Sequence, residues 1–210
     1  MPAALTLQSL PLFPLGTVLF PGGILPLRVF EVRYLDMIGK CHKAGAPFGV
    51  VSLVQGSEVR QPGATESFAD VGTLATITEY EVPRPGLMMI RVSGAQRFRI
   101  TARSQLKHGL WIADVQAMPP DIDVQIPPDL QVAAVALKKL IQSLEQRSGG
   151  KEPLPLREPW RLDDCGWVAN RWCELLPLPV ALKQRLLELD NPLVRLELVS
   201  DVLAKTGIAA

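Results

Sequence analysis

The chain has 210 residues, 48% of them hydrophobic, which is enough apolar material for one large core or two small ones. Its 22 basic and 21 acidic residues nearly cancel to a formal charge of +1 and are interspersed along the chain. That balance removes the usual electrostatic basis for binding nucleic acid, which needs concentrated positive charge to meet phosphates.

The N-terminal stretch Leu5–Leu27 is mostly apolar, and no charge appears before Arg28. Hydropathy alone would suit a membrane helix, but Pro11, Pro14, Pro21 and Pro26 interrupt it, as do Gly16, Gly22 and Gly23. It also lacks the basic start of a signal peptide. Short buried strands are expected instead, with no membrane or export role. Leu10–Leu15 and Ile24–Val29 are the first two, around the turn at Phe20–Gly23.

Between Glu31 and Lys43 the period becomes helical, with Tyr34, Ile38 and Cys41 on one face and Gly45 just beyond the end. Phe48–Val54 reads as a buried strand and Gly56–Ala69 as a polar loop. Thr73–Val82 reads as a strand and Pro83–Gly86 as a turn. Leu87–Val92 and Arg97–Ala102 read as two strands split at Ser93 and Gly94, and Trp111–Met118 as the last. Six or seven short strands and one helix predict a small, partly closed barrel.

Met118, Pro119 and Pro120 end that half. Ala133, Leu137, Leu140, Ile141 and Leu144 then repeat at helical spacing, stopped by Gly149 and Gly150. Lys151–Pro159 is a proline-rich connector. Asp163 and Asp164 can open a helix to Leu176. Pro179 suits the first turn of the next, running to about Asp190, and Asn191 and Pro192 cap a fourth that ends near Gly207. The expected fold class is α+β: a β-barrel over residues 1–120 and an α-helical bundle over 121–210.

Motifs for catalysis are missing. Gly150-Lys151 and Gly39-Lys40 lack both the earlier glycine and the following Ser/Thr of a phosphate-binding loop. The two histidines, His42 and His108, lie far apart, and the neighbours Cys41 and His42 point about 100° apart on a helix. Cys41, Cys165 and Cys173 form no disulfide framework and read as buried thiols. Ser143 and Lys139 sit four apart on an ordinary amphipathic helix, with Lys139 on its solvated face. Trp160, Trp167 and Trp172 read as packing residues. Arg97 and Arg99 fall on one face of a strand, opposite Phe98 and Ile100, and read as solvated. No catalytic residue, metal or cofactor is expected.

Four ordered stretches carry a family resemblance. They are Leu10–Phe30 (LPLFPLGTVLFPGGILPLRVF), Phe48–Val51 (FGVV), Val71–Ile77 (VGTLATI) and Gly94–Ile100 (GAQRFRI). In the second half Asp164–Ala169, Leu175–Pro179, Lys183–Glu188 and the pair Arg195, Leu196 continue it. Together they resemble the N-terminal substrate-binding domain of Lon proteases, a domain type also found in cereblon, and above all free-standing bacterial proteins made of this domain without ATPase or protease domains. The resemblance implies a PUA-like pseudo-barrel followed by a helical bundle. It implies a cytoplasmic, non-enzymatic module that binds unfolded or damaged polypeptides or a partner protein, acting as an adaptor or regulator of proteolysis. The alternative is a small-molecule or RNA-binding barrel of PUA type. No oligomeric state is assigned. Phe20, Leu25, Phe30, Phe98 and Ile100 suit a barrel interior. The expected binding residues are Arg28, Phe30, Arg33 and Tyr34, which set polar tips on apolar stems, a mixture common at recognition surfaces.

Overall fold

A computed structural model describes residues 6–58, 66–148, 154–156 and 158–208. The fold is mixed α+β, with one strand-rich sheet and five α-helices among the described residues. The chain divides into two compact units, Met1–Pro120 and Asp121–Ala210.

The first unit holds β1 (Thr6–Leu15), β2 (Ile24–Val29), α1 (Val32–Ala44), β3 (Phe48–Gln55), β4 (Ser67–Arg84), β5 (Leu87–Gln105) and β6 (Trp111–Ala117). β1 and β3 run parallel and every other pairing is antiparallel. The strand order β2-β5-β4-β3-β1-β6 returns on itself through a β5–β6 ladder. Five strands therefore close a ring, and β2 lies outside it as an edge strand on β5.

β5 makes this possible. Met88–Ser93 pairs with β2, Phe98–Gln105 pairs with β6, and β4 pairs along its other edge from Leu87 to Arg99. The expected break at Ser93 and Gly94 is thus the interior of one long strand. Gly94 is needed for close approach: Gly94 N–H donates to Gly23 C=O at 2.9 Å, and a Cβ here would lie 2.2 Å from the Phe20 carbonyl oxygen. Gly22, with φ 75°, makes the incoming turn.

Two other expectations for this unit change. Part of the expected loop Gly56–Ala69 falls outside the described residues, but its end belongs to β4, where Phe68 is a core residue. Arg97 is buried, with a guanidinium N–H directed to Pro119 C=O at 3.4 Å, while Arg99 is exposed. Alternation itself holds, since Thr73↔Arg97, Gly72↔Phe98 and Val71↔Arg99 pair without a shift. Arg97 and Phe98 point to opposite faces, and both are buried because the Arg97 face is also covered, beside buried Thr73, whose hydroxyl donates to Leu19 C=O at 2.6 Å.

One apolar core lies under α1, with Tyr34, Met37, Ile38 and Cys41 packed on Phe13, Leu15 and Phe48. Their spacing along α1 is that of one helical face. A second core fills the ring around Leu12, Phe68, Phe98 and Val115.

The second unit holds α2 (Gln131–Ser148), α3 (Cys165–Leu175), α4 (Val180–Glu188) and α5 (Pro192–Thr206). The caps are those expected from composition. Asp164 Oδ1 accepts Trp167 N–H at 2.6 Å, and Asn191 Oδ1 accepts Leu193 N–H at 3.0 Å. Gly207 ends α5 in the left-handed conformation. Trp172 is buried and its indole N–H donates to Ala133 C=O at 3.0 Å, while Trp160 and Trp167 pack edge to face. The expected stop at Gly149 and Gly150 lies outside the described residues.

Candidate functional site

The chain leaves β2 and enters α1 through Phe30 and Glu31. Glu31 is the extended N-cap residue, and its carbonyl accepts Tyr34 and Leu35 N–H, both at 2.9 Å. This turn places Tyr34 on the inner face of α1, where its ring stacks on Phe13 with centroids 4.1 Å apart. The preceding residue, Arg33, lays its guanidinium 4.5 Å from the centroid of the Tyr34 ring.

A groove of about 430 Å³ opens above this pair. Its floor is Phe13 and Leu15 of β1 with Tyr34 of α1; Leu25–Phe30 runs along one wall; Glu31 and Glu58 stand among its polar residues. Of the residues singled out from the sequence, Arg28, Phe30 and Tyr34 all line it. Phe30 is 54% exposed, so it stands at the rim and does not fill the barrel. Arg28 is exposed beside it and Tyr34 is buried in the floor.

Arg33 is placed differently. Its side chain is only 4% exposed and is spent inside the protein. One guanidinium N–H donates to Gly109 C=O at 2.8 Å, another to Glu66 Oε1 at 3.2 Å, and Nε lies 3.3 Å from Glu31 Oε2. Glu66 Oε2 in turn accepts the Trp111 indole N–H at 3.0 Å. Arg33 therefore ties the start of α1 to β4 and to the turn before β6. It braces the groove from behind.

The acids converge on one part of the groove. Burial pushes the Tyr34 hydroxyl pKa well above its ordinary value; Arg33 opposes this, and Glu66, Glu31 and Glu58 each add to it. Glu58 and Glu31 thus lie within electrostatic reach of the same phenol. Glu58 is held in place by accepting Gly16 N–H at 2.6 Å. Sequence inspection missed Glu58 and the floor residues Phe13 and Leu15, because they are brought to Tyr34 from other segments of the chain.

The helical unit carries a comparable groove of about 440 Å³, lined by Val132, Val135 and Leu140 of α2, by Trp172 and Leu176, and by Ile208. It offers apolar surface and one charge, Lys139, but no strand edge. Cys41 is buried with Sγ 4.0 Å from Pro47 C=O, whereas His42 points out and stacks on Tyr80. Ser143 and Lys139 are exposed on α2. Among the described residues no group of three or more His, Cys, Asp or Glu side chains could hold a metal ion, and no helix is long and apolar enough to cross a membrane.

Comparison with known proteins places the whole arrangement. The crystal structure of a Lon N-terminal domain protein from Xanthomonas campestris superposes with a TM-score of 0.71 at 32% identity, covering 93% of this chain and 98% of that one. The N-terminal domain of Mycobacterium avium complex Lon protease shares the fold at a TM-score of 0.58 and 19% identity, over 92% of this chain and 97% of that chain. By sequence, Lon protease of Paraburkholderia phytofirmans is 29% identical over 211 residues, 96% of this chain and 25% of the relative. Lon protease of Anaeromyxobacter dehalogenans is 25% identical over 199 residues, 92% of this chain and 23% of the relative. The chain spans about a quarter of the length of these relatives. The family model of the ATP-dependent protease La (LON) substrate-binding domain matches residues 9–205, and the chain belongs to that family.

Proposed function

We propose that the protein is a polypeptide-recognition module that holds apolar segments of unfolded or damaged chains in the groove beside β2, and that it serves proteolysis as an adaptor or regulator without cutting. The observation that carries this reading is the groove itself: a floor of Phe13, Leu15 and Tyr34 with an exposed aromatic rim residue, Phe30, and a charged end. Apolar floors ringed by polar groups are what extended peptides dock into. Membership of the LON substrate-binding domain family supports the same reading. Arg28, Phe30 and Tyr34 are the contact residues in this proposal, and Arg33 positions Tyr34.

The test is retention of a reporter protein diluted from guanidinium, followed by light scattering and by co-sedimentation. The protein is expected to suppress aggregation, and Phe30→Asp to weaken that effect without shifting its own unfolding midpoint. A protein that neither suppresses aggregation nor retains the unfolded reporter does not have this function.

A further inference from the structure

The six residues Leu25–Phe30 all line the groove, although their side chains alternate: Leu25, Leu27 and Val29 turn inward, and Pro26, Arg28 and Phe30 are exposed. A groove that touches both faces of a strand runs along its edge. Which backbone groups face that edge follows from the register. Gly94 N–H donates to Gly23 C=O, and the β2–β5 pairing continues from Ile24↔Ser93 to Val29↔Met88 without a shift. Backbone groups alternate sides along an antiparallel strand, so Leu25, Leu27 and Val29 turn theirs to β5. Ile24, Pro26 and Arg28 turn theirs outward. Pro26, which has no N–H, falls at an outward position where the β2–β5 ladder loses nothing. The outer edge then offers the Ile24, Pro26 and Arg28 carbonyls and the Ile24 and Arg28 N–H groups. That is enough for a short added strand, and too little for long self-association.

We infer that β2 accepts an extended, mainly apolar polypeptide segment as an added strand, with a lysine or arginine beside that segment held near Glu31 and Glu58. This rests on reading the groove as a polypeptide site. The edge supplies main-chain hydrogen bonds independent of sequence, and the Phe13, Leu15 and Tyr34 floor takes every second side chain. The acids select charge: Glu31 and Glu58 line the groove together, and Arg28 is the basic side chain on its β2 wall. An acidic flank would meet like charge in a partly enclosed site.

Four fluorescein-labelled peptides test this by anisotropy. One alternates valine and threonine with two lysines at each end; the second replaces those lysines with glutamates. The other two are lysine-flanked and N-methylated at every second amide, in one phase or the other. The lysine peptide is expected to bind roughly tenfold tighter than the glutamate peptide. One N-methylated phase should bind at least about tenfold more weakly and the other near normally, since only one phase faces β2. Glu58→Gln, which can still accept Gly16 N–H, should narrow the lysine-over-glutamate preference. Equal tolerance or equal loss in the two phases, or equal binding of the two flanks, overturns strand addition. If no peptide binds while the unfolded reporter is retained, strand addition falls and polypeptide recognition stands; if neither is bound, both fall.

Discussion

Arg33 and Glu66 meet at 3.2 Å with side chains only 4% and 9% exposed, and this pair joins the first turn of α1 to the residue just before β4. Breaking such a pair leaves a buried charge that water cannot reach. Arg33→Ala should therefore destabilise the protein by about 3 kcal/mol, read from denaturant midpoints. Arg33→Lys should recover little, because one ammonium cannot span Gly109 C=O and Glu66 as the guanidinium fork does. Since the same residue covers Tyr34, both variants should also weaken reporter retention more than stability loss alone explains.

Gly94 tolerates no side chain. A Cβ 2.2 Å from a carbonyl oxygen forces the Phe20–Gly23 turn away from β5. Gly94→Ala is expected to cost about 1–3 kcal/mol by overpacking. Hydrogen exchange should show the loss concentrated in β2 and the centre of β5. An unchanged midpoint would mean that the turn can move freely.

In the helical unit, Arg195 grips Asp121 with both terminal nitrogens, at 2.5 and 3.1 Å, and also donates to Asn170 Oδ1 and to the Leu186 and Leu189 carbonyls. Its side chain is almost wholly buried. Arg195→Ala and Asp121→Ala should each destabilise, and the double variant should lose clearly less than their sum, with a coupling of about 1–3 kcal/mol. Additive losses in that cycle would show that the pair is not coupled.

The thiols give a pH prediction. Burial pushes the Cys173 thiol up to about 12 against the nearby cations Arg195, Lys183 and Arg171, with Glu174 adding to the rise. Cys41 and Cys165 are also raised, chiefly by burial. A raised folded pKa stabilises the protonated native state fully below the unfolded value of 9.0, and that contribution is lost as pH climbs toward the folded value. Stability should therefore fall from about pH 9 upward, and Cys173→Ala should flatten the slope in that window. At pH 8 a thiol reagent should react slowly with the native protein and quickly once it is unfolded.

The helices and their ends were legible from local patterns. The Asp164 and Asn191 caps, the Gly45 and Gly207 stops and the inward face of α1 depend on residues within a few positions of each other. Strand boundaries were less so. Two expected strands merged into β5 because Ser93 and Gly94 look like a break in a linear reading, whereas in the sheet Gly94 makes room for a turn that arrives from about seventy residues earlier.

The residue pattern alone carried the α+β class, the helical caps and the family resemblance, since these rest on short-range periodicity and ordered motifs. Tertiary structure decided which polar residues face water. Arg33 and Arg28 look alike in the chain, yet Arg28 is exposed at the groove while Arg33 is buried against Gly109 and Glu66, 76 and 33 residues away. A buried guanidinium is tolerable only where acceptors meet it, and those acceptors come together only when the ring of strands closes. The groove has the same origin. Phe13 and Leu15, Tyr34, and Glu58 come from three separate segments, and β2 stands at the edge of the sheet because the ring closes through β5 and β6 without it.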